Sequence, residues 1–444
     1  MKKNNSELEK LELAYWAQKY AKQLGADDSA IAINKRRSIS VKYRDGKVDK
    51  LKESSQNSLR VEIYSGGKYS SHFTNDLRKS SLEKFLENAI GITRYLEEDP
   101  YKALPDPALY RGRPKIDLQL FDNYYYGLDI EDRIEKARQL YELIRDRDPR
   151  IISITADFRD SHYESTHLKS NGFEGKNEGS SFNLGAEVSL RGREDRKPNG
   201  WRYYRTRHIE DLPAANVIAK KALKRAQDAV GRRKVESATV PMIVENITAP
   251  GLLWRLFRAM SGYALQQKQS YLEGQLNTQI ASKRLTMIDN PTIVRGLGSR
   301  YYDGDGIAAK SIPVIEEGVL KNYYIDVYYG RKLKMNPTTG GASNIVFKLG
   351  KRNGMEIEKD LDRAILVTGF IGGNANSTTG DFSLGIVGWL IENGERTVPL
   401  NEMNISGNFT DLLNNLVEVG NDPFELSSMR TPTLLFDGVE FSGL

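Results

Sequence analysis

The sequence predicts an α+β protein in which helices and an antiparallel sheet form an N-terminal α/β domain, followed by a mostly β, barrel-like domain with a core helix. In the first half, alternating apolar residues separated by turns such as Asp45-Gly46 recur between helical segments. From Ala238 onward, short apolar runs alternate with Gly-rich turns, a texture typical of closed or nearly closed sheets. We therefore expect an N-terminal α+β domain over residues 1–235 and a C-terminal β-rich domain over residues 236–444.

Composition narrows the functional classes. The chain has 444 residues, of which 39% are hydrophobic, enough for two or three domains with real cores. Its net charge of +6 is a mild surplus for this length and indicates no nucleic-acid footprint. The absence of cysteine excludes disulfides, thiolate metal ligands and cysteine nucleophiles. No stretch approaches the roughly 20 apolar residues of a membrane helix, and MKKNNSELEK lacks the apolar core of a signal peptide. We expect a cytoplasmic protein without a membrane partner.

The spacing of apolar residues predicts each helix and strand of the N-terminal half. Leu13, Ala17 and Leu24 recur at helical spacing until Gly25, and Leu82 to Ile90 repeats this pattern. Alternation between these helices predicts strands near Ile31–Tyr43 and Leu59–Ile63, with a second turn at Gly66-Gly67. The remaining predicted elements are a helix over residues 130–145, strands near residues 151–158, 166–169, 182–190 and 201–206, and a helix over residues 213–230.

The last of these helices is basic. It carries Lys220, Lys221, Lys224 and Arg225, which could form a nucleic-acid patch or simply a solvated helix face. No aromatic platform or recognition motif accompanies the charges, so we interpret them as a solvated face and expect no nucleic-acid partner.

One pair of histidines has the spacing of a metal-ligand pair. His162 and His167 are five residues apart with Glu164 between them, but this stretch alternates like a strand. An odd offset in a strand places side chains on opposite faces. We expect two separate surface histidines rather than a metal site.

The most unusual stretch runs from Gly369 to Asn408, where seven of the first 26 residues are glycine. Glycine lets another chain approach closely, and Asn, Ser and Thr supply uncharged donors and acceptors, so the stretch suits an extended peptide. An ordinary loop that satisfies its own turns is the alternative. The candidate substrate-binding residues are Gly372, Gly373, Asn374, Asn376, Thr378, Thr379, Asp381 and Ser383.

Three motifs stand out in this stretch: TGDFS at Thr379, GWLIENGE at Gly388 and ISGN at Ile405. They resemble motifs of the TldD/PmbA family, described as modulators of DNA gyrase and as zinc-metalloprotease components. Asp289-Asn290-Pro291, Asp303-Gly304-Asp305-Gly306 and Thr338-Thr339-Gly340 resemble the PmbA branch, also called TldE. The resemblance extends over the whole chain.

The resemblance also locates a missing zinc motif. A helix is predicted from Ala249 to Tyr263, and the zinc-bearing TldD branch carries HExxxH at the matching positions, here Trp254, Arg255 and Ala259. An indole, a guanidinium and a methyl group offer no zinc ligand. The resemblance therefore implies no metal in this chain, no catalytic residue of its own, and zinc in a partner subunit.

Three hypotheses follow. The first is a PmbA/TldE-like subunit that pairs with a TldD-type zinc subunit, or with itself, and contributes a dimer interface and a peptide channel for small or unfolded polypeptides. The second is a single-chain metallopeptidase with an atypical site, whose candidates are His162, Glu164 and His167 or the carboxylates of Asp303, Asp305 and Asp381. The third is a protein that modulates gyrase by binding. A calcium loop at Asp303 is excluded because its twelfth position is Val314.

Overall fold

The computed structural model describes residues 2–192 and 196–444, with side chains from residue 8 onward. The N-terminal half is built on a six-stranded antiparallel sheet in the order β3-β2-β1-β4-β5-β6. Its strands are β1 Asp28–Arg44, β2 Lys47–Ser65, β3 Lys68–Thr74, β4 Ile151–Lys169, β5 Phe173–Leu190 and β6 Asn199–Thr206.

Four helices pack against one face of this sheet: α1 Lys2–Gln23, α2 Lys79–Thr93, α3 Ile130–Glu142 and α4 Ala215–Asp228. Because side chains alternate along a strand, Ile31, Ile33 and Val41 of β1 share the face that the helices cover. The α1 and α2 helices cover one end of that face and α3 and α4 cover the other. The opposite face is polar beside Ser38, Ser40 and Arg159.

The C-terminal half contains a closed five-stranded barrel. Its strands are β7 Ala238–Val244, β12 Arg363–Ala375, β13 Asp381–Glu392, β14 Glu395–Asn408 and β16 Leu434–Ser442, and β15 Leu416–Val419 joins β16. Pairing of β14 with β16 at Asn404–Ser442 and Ile405–Phe441 closes the barrel. Closure leaves few free strand edges.

A core helix and a small second sheet complete this half. Helix α5 Ala249–Ala259 buries Leu252, Leu253 and Leu256 in the largest apolar cluster. The other elements are α6 Gly262–Gln266, β8 Met287–Asp289, β9 Ile312–Glu316, β10 Val319–Leu320, α7 Val327–Leu333, β11 Ile345–Phe347, α8 Gly354–Lys359 and α9 Phe409–Asn414. The second sheet has the order β10-β9-β8-β11.

The predicted α+β class is confirmed, including the barrel and its core helix. Two details of the element predictions are wrong. The two strands expected near residues 151–158 and 166–169 form the single strand β4. The helix expected over residues 249–263 ends at Ala259, because Ser261 adopts an extended conformation and its hydroxyl caps α6 by accepting from the Ala264 amide at 3.2 Å.

Within the described ranges, no helix combines the length and the apolarity needed to cross a membrane.

Candidate functional site

The Gly-rich stretch forms the end of β12, a turn over residues 376–380 and the start of β13. All eight candidate substrate-binding residues are exposed. They are Gly372, Gly373 and Asn374 on β12, Asn376, Thr378 and Thr379 in the turn, and Asp381 and Ser383 on β13. Their exposure places this end of the barrel hairpin at the protein surface.

One edge of β12 is open along this stretch. Strand β7 pairs with β12 only at residues 365–367, whereas β13 pairs with it as far as Ala375. From Gly369 to Ala375, no described strand pairs with the other edge of β12. An unpaired edge offers backbone N–H and C=O groups to an added extended chain.

A bulge shapes this edge. The register between β12 and β13 shifts between Phe370 and Gly373, so one extra β12 residue stands opposite β13. Gly372 and Gly373 have φ angles of +127° and +109°, which L side chains rarely adopt. A Cβ atom at Gly373 would lie 2.1 Å from the carbonyl oxygen of Ser383. The glycine at this position is therefore required by the close approach of β13.

Polar side chains of the hairpin mostly bond to one another. Thr379 Oγ1 donates to Asp381 Oδ2 at 2.6 Å, and Asn408 Nδ2 donates to Asp381 Oδ1 at 3.1 Å. These two hydrogen bonds, first from Thr379 and then from Asn408, lower the pKa of Asp381. Asn404 Nδ2 donates to Ser383 Oγ at 2.9 Å. The side chains thus fix the hairpin, and the backbone of β12 remains the group available to a ligand.

Helix α5 lies beside this edge. A Cβ atom at Gly251 would lie 3.2 Å from Cδ2 of Phe370 on β12. Trp254, one turn further along α5, has 50% of its surface exposed. Arg255 is half-buried and donates to the Gly251 carbonyl, whereas Ala259 is 0% exposed and packs in the core.

These three residues do not fit zinc. Indole nitrogen has no available lone pair, guanidinium is a permanent cation, and alanine has no donor atom. Ala259 is also sealed in the apolar cluster, away from the exposed surface that Trp254 occupies. The arrangement on α5 therefore supplies neither a metal ligand nor a general base.

A different set of metal-ligand types lies in the N-terminal sheet. His162, Glu164 and Glu178 place one ligand atom each within 4.8 Å of one another, and among the described residues this is the one such group. His162 Nε2 lies 2.9 Å from Glu178 Oε1 and 3.8 Å from Glu164 Oε1. Lys10 forms an ion pair with Glu164, which places a positive charge in the group.

The two histidines lie on opposite faces of β4, as their odd spacing predicts. The prediction that both are surface residues is wrong: His162 is 6% exposed and packs against Phe121 and Tyr125, and His167 is half-buried. His167 faces Tyr302 at 6.2 Å between ring centres. Burial, with a smaller effect from Lys169, lowers the pKa of His167 to about 4.

The remaining candidate carboxylates serve the fold. Asp303 accepts from the amides of Asp305, Ile307 and Gly340, which fixes the turn that contains it. Asp305 accepts from the amide of Val327 at 2.8 Å, the first residue of α7. Spacing along the chain does not reveal Glu178 or Lys10. The register of β4 against β5 brings Glu178 opposite Glu164, and Lys10 of α1 reaches Glu164 as an ion pair.

The fold and the candidate site together define the class of protein to which this chain belongs. The chain matches the PmbA/TldA metallopeptidase domain 1 over residues 30–93, the central domain over residues 124–230 and the C-terminal domain over residues 237–443. It is thus built from the domains of a metallopeptidase family. The chain belongs to the PmbA/TldD family.

Individual relatives agree with this assignment. The metalloprotease PmbA homolog of Haemophilus influenzae is 27% identical over 432 residues, which cover 96% of this chain and 95% of the relative. The crystal structure of a candidate modulator of DNA gyrase from Bacteroides thetaiotaomicron has a TM-score of 0.95 and 40% identity, with 98% and 99% coverage of the two chains. TldE from Thermococcus kodakarensis, at 22% identity and a TM-score of 0.86, covers 97% of this chain and 100% of its own and shows the shared fold.

Proposed function

We propose that this chain is the PmbA/TldE-type subunit of a cytoplasmic zinc metalloprotease that acts on small or unfolded polypeptides. In this proposal the chain holds no metal on α5, and a TldD-type partner subunit supplies the zinc and the general base for hydrolysis. The chain contributes a dimer interface and one wall of a peptide channel. A homodimer is the alternative assembly.

The observation that carries the proposal is the open edge of β12 beside α5. Residues 369–375 offer unpaired backbone groups, and the glycines allow a second chain to approach closely. An extended peptide would add there as a strand. Its backbone hydrogen bonds would not depend on the side chains of the peptide. Such recognition suits unfolded polypeptides of varied sequence. Exposed Trp254 would provide an apolar contact next to this strand.

A second candidate function rests on the group of His162, Glu164 and Glu178. Three ligand atoms at this spacing would suffice for a single-chain metallopeptidase with an atypical site. The ion pair between Lys10 and Glu164 argues against it, because a cation already neutralises one of the carboxylates. Gyrase modulation, the description of the Bacteroides relative, is a third candidate, and DNA binding that weakens steeply with salt would support its nucleic-acid form.

Co-expression with the TldD-type protein of the same organism tests the proposed assembly. We expect one complex on a sizing column, zinc in the partner only, and cleavage of an unstructured peptide by the complex but not by either isolated chain. Two separately eluting species would contradict the heterodimer. Chelator-sensitive cleavage by this chain alone that is lost on His162→Ala would establish the single-chain peptidase instead.

A matched pair of tryptophan variants tests the peptide site within that complex. Trp254→Ala should raise the KM for the peptide because it removes an apolar surface beside the β12 edge. Trp201→Ala removes a similarly exposed indole from β6, at 57% against 50%, and should leave KM unchanged. Equal KM values for both variants and the parent would place the peptide away from α5.

A further inference from the structure

A cavity of about 470 Å³ lies where the N-terminal sheet and α4 meet the barrel. Its N-terminal wall includes Arg202 and Tyr204 of β6 and Lys221 of α4, and Trp389 of β13 lines the barrel side. Arg232, between α4 and β7, and Phe424 also contribute. This cavity is distinct from the β12 edge and from the group around His162, whose residues do not line it.

Arg202 is buried in this cavity without a counter-ion. It is 6% exposed, and its guanidinium group forms neither an ion pair nor a hydrogen bond with any part of the chain that the structure describes. Its guanidinium carbon lies 4.5 Å from the ring centre of Tyr204 and 4.9 Å from that of Phe424. Ring faces attract a cation but do not satisfy its N–H groups. A buried charge without a partner is costly, which indicates that an anion belongs beside it.

Two further donors in the cavity are also buried and lack partners. The hydroxyl group of Tyr204, a residue only 4% exposed, and Nε of Arg232 have no hydrogen-bond partner among the described residues. Burial lowers the pKa of Arg232; the charge of Asp228 opposes this, and the smaller effect of Arg225 adds to it. Native proteins rarely leave buried polar atoms unsatisfied, so three of them around one cavity point to a ligand.

The carboxylates near the cavity are already engaged. Arg225 Nη2 lies 2.5 Å from Glu245 Oε2, and Lys224 forms an ion pair with Asp228. These pairs leave four cations of the lining without a carboxylate partner among the described residues: Arg202, Lys220, Lys221 and Arg232. The cavity is therefore positive, and its unpaired groups donate hydrogen bonds.

We propose that this cavity binds a small molecule that carries phosphate groups. Arg202, Arg232 and the Tyr204 hydroxyl bind the phosphate oxygens, and Lys220 and Lys221 add positive charge at the exposed mouth. A planar guanidinium pairs well with phosphate oxygens, which suits the buried Arg202 to this role. The volume lies within the range of about 300–1,000 Å³ typical of small-molecule sites. The side chains of Trp389 and Phe424 provide apolar walls suited to a nucleoside.

The basic helix α4 then lines a ligand site, whereas its sequence predicted a solvated face. Lys220, Lys221 and Lys224 are exposed, but all three line the cavity. Arg225 is half-buried and tied to Glu245 of the segment that follows β7. A ligand in the cavity would contact both halves of the chain and would stabilise their junction.

Calorimetric titration of the full chain with inorganic pyrophosphate, and separately with ATP, tests the proposal. We expect saturable binding at one site per chain and an affinity that falls with salt. Arg202→Gln should weaken binding by about tenfold to a hundredfold, because charge-assisted hydrogen bonds are lost. Tyr204→Phe keeps the ring and should weaken binding by up to about tenfold. Equal affinities for the two probes would indicate a phosphate site, and tighter ATP binding would add a nucleoside site.

The matched control is Arg205→Gln on the same strand. Arg205 lines the opposite face of the sheet beside Asn183, so this variant should bind both probes like the parent. Arg202→Gln should also melt at the same or a higher temperature than the phosphate-free parent, since an unpaired buried charge is removed. The proposal is overturned if neither probe saturates, if Arg202→Gln binds normally, or if Arg205→Gln loses binding equally.

Discussion

Arg133 on α3 and Asp160 on β4 form a fully buried ion pair, with Nε 2.5 Å from Oδ2 and side-chain exposures of 1% and 0%. Arg133 Nη1 also donates to the carbonyl oxygens of Leu128 and Asp129, at 2.5 Å and 2.7 Å. The pair therefore fastens the start of α3 to the centre of the sheet. Its hydrogen bonds satisfy the guanidinium on two sides, in contrast to Arg202.

Breaking this pair should destabilise the N-terminal half strongly. Arg133→Met or Asp160→Asn leaves one buried polar group uncompensated, and we expect a loss of about 3–5 kcal/mol in the free energy of unfolding. Urea unfolding followed by circular dichroism measures it. The control is Arg138→Met, which removes an exposed pair with Glu135 on the same helix and should cost at most about 1 kcal/mol. Similar losses in the free energy of unfolding for Arg133→Met and Arg138→Met would contradict the stabilising role of the buried pair.

His167 should make stability depend on pH. Burial lowers the pKa of its imidazole in the folded chain from 6.5 to about 4. The unfolded chain therefore takes up this proton first as the pH falls, so the stability contribution is complete above about pH 6.5 and is lost towards about pH 4. A shift of this size corresponds to about 3 kcal/mol.

His167→Gln tests this pH dependence. The variant should retain the acid sensitivity that arises from carboxylates but lose the part that begins near pH 6.5. Urea midpoints of the parent and the variant, measured across this pH range, give the difference. Parallel curves would show that His167 is protonated to the same extent in both states.

The alternation of apolar and polar residues predicted the strands of the sheet wherever one face of a strand is apolar, as at Ile31, Ile33 and Val41. It failed in the middle of β4, because buried positions there hold Asp160 and His162 rather than apolar side chains. Asp160 is acceptable in the interior only because Arg133, 27 residues earlier, pairs with it. A polar pair across distant segments leaves no periodic signal.

The candidate sites also depend in part on contacts between distant segments, which leave no signal in the sequence. The glycine-rich composition drew attention to Gly372 and Gly373, and their backbone angles require glycine; their role in peptide binding stays a prediction. The group of His162, Glu164 and Glu178 depends on the register of β4 against β5, and the cavity around Arg202 depends on how α4 meets the barrel. Neither arrangement follows from spacing along the chain.

Lys10 should compete with metal ions for Glu164. In the native chain its ammonium group pairs with that carboxylate, so we expect little zinc in the purified protein. Lys10→Met removes the cation and leaves His162 between two carboxylates, which should give measurable zinc binding at neutral pH. Elemental analysis and titration with zinc alone measure it. His162→Ala in the Lys10→Met background should abolish the binding, and persistent binding would place the metal elsewhere.

Two neighbouring glycines at the open edge of β12 should respond differently to alanine. Gly372 has a φ angle of +127° with nothing within 4 Å of an added Cβ, so Gly372→Ala costs only backbone strain, about 1–3 kcal/mol. Gly373→Ala adds a Cβ atom 2.1 Å from the Ser383 carbonyl oxygen, so it must also push β13 away and should cost more.

Urea unfolding ranks the two variants, and Gly341→Ala is the control because nothing lies within 4 Å of its Cβ position. The same variants report on function. Under the proposed two-subunit assembly, Gly373→Ala should lower peptide cleavage more than Gly372→Ala does, because it would displace the edge proposed to receive the peptide. Equal losses of stability in the two variants would show that β13 yields freely at Ser383. Unchanged cleavage in a folded Gly373→Ala complex would remove the β12 edge from the peptide path.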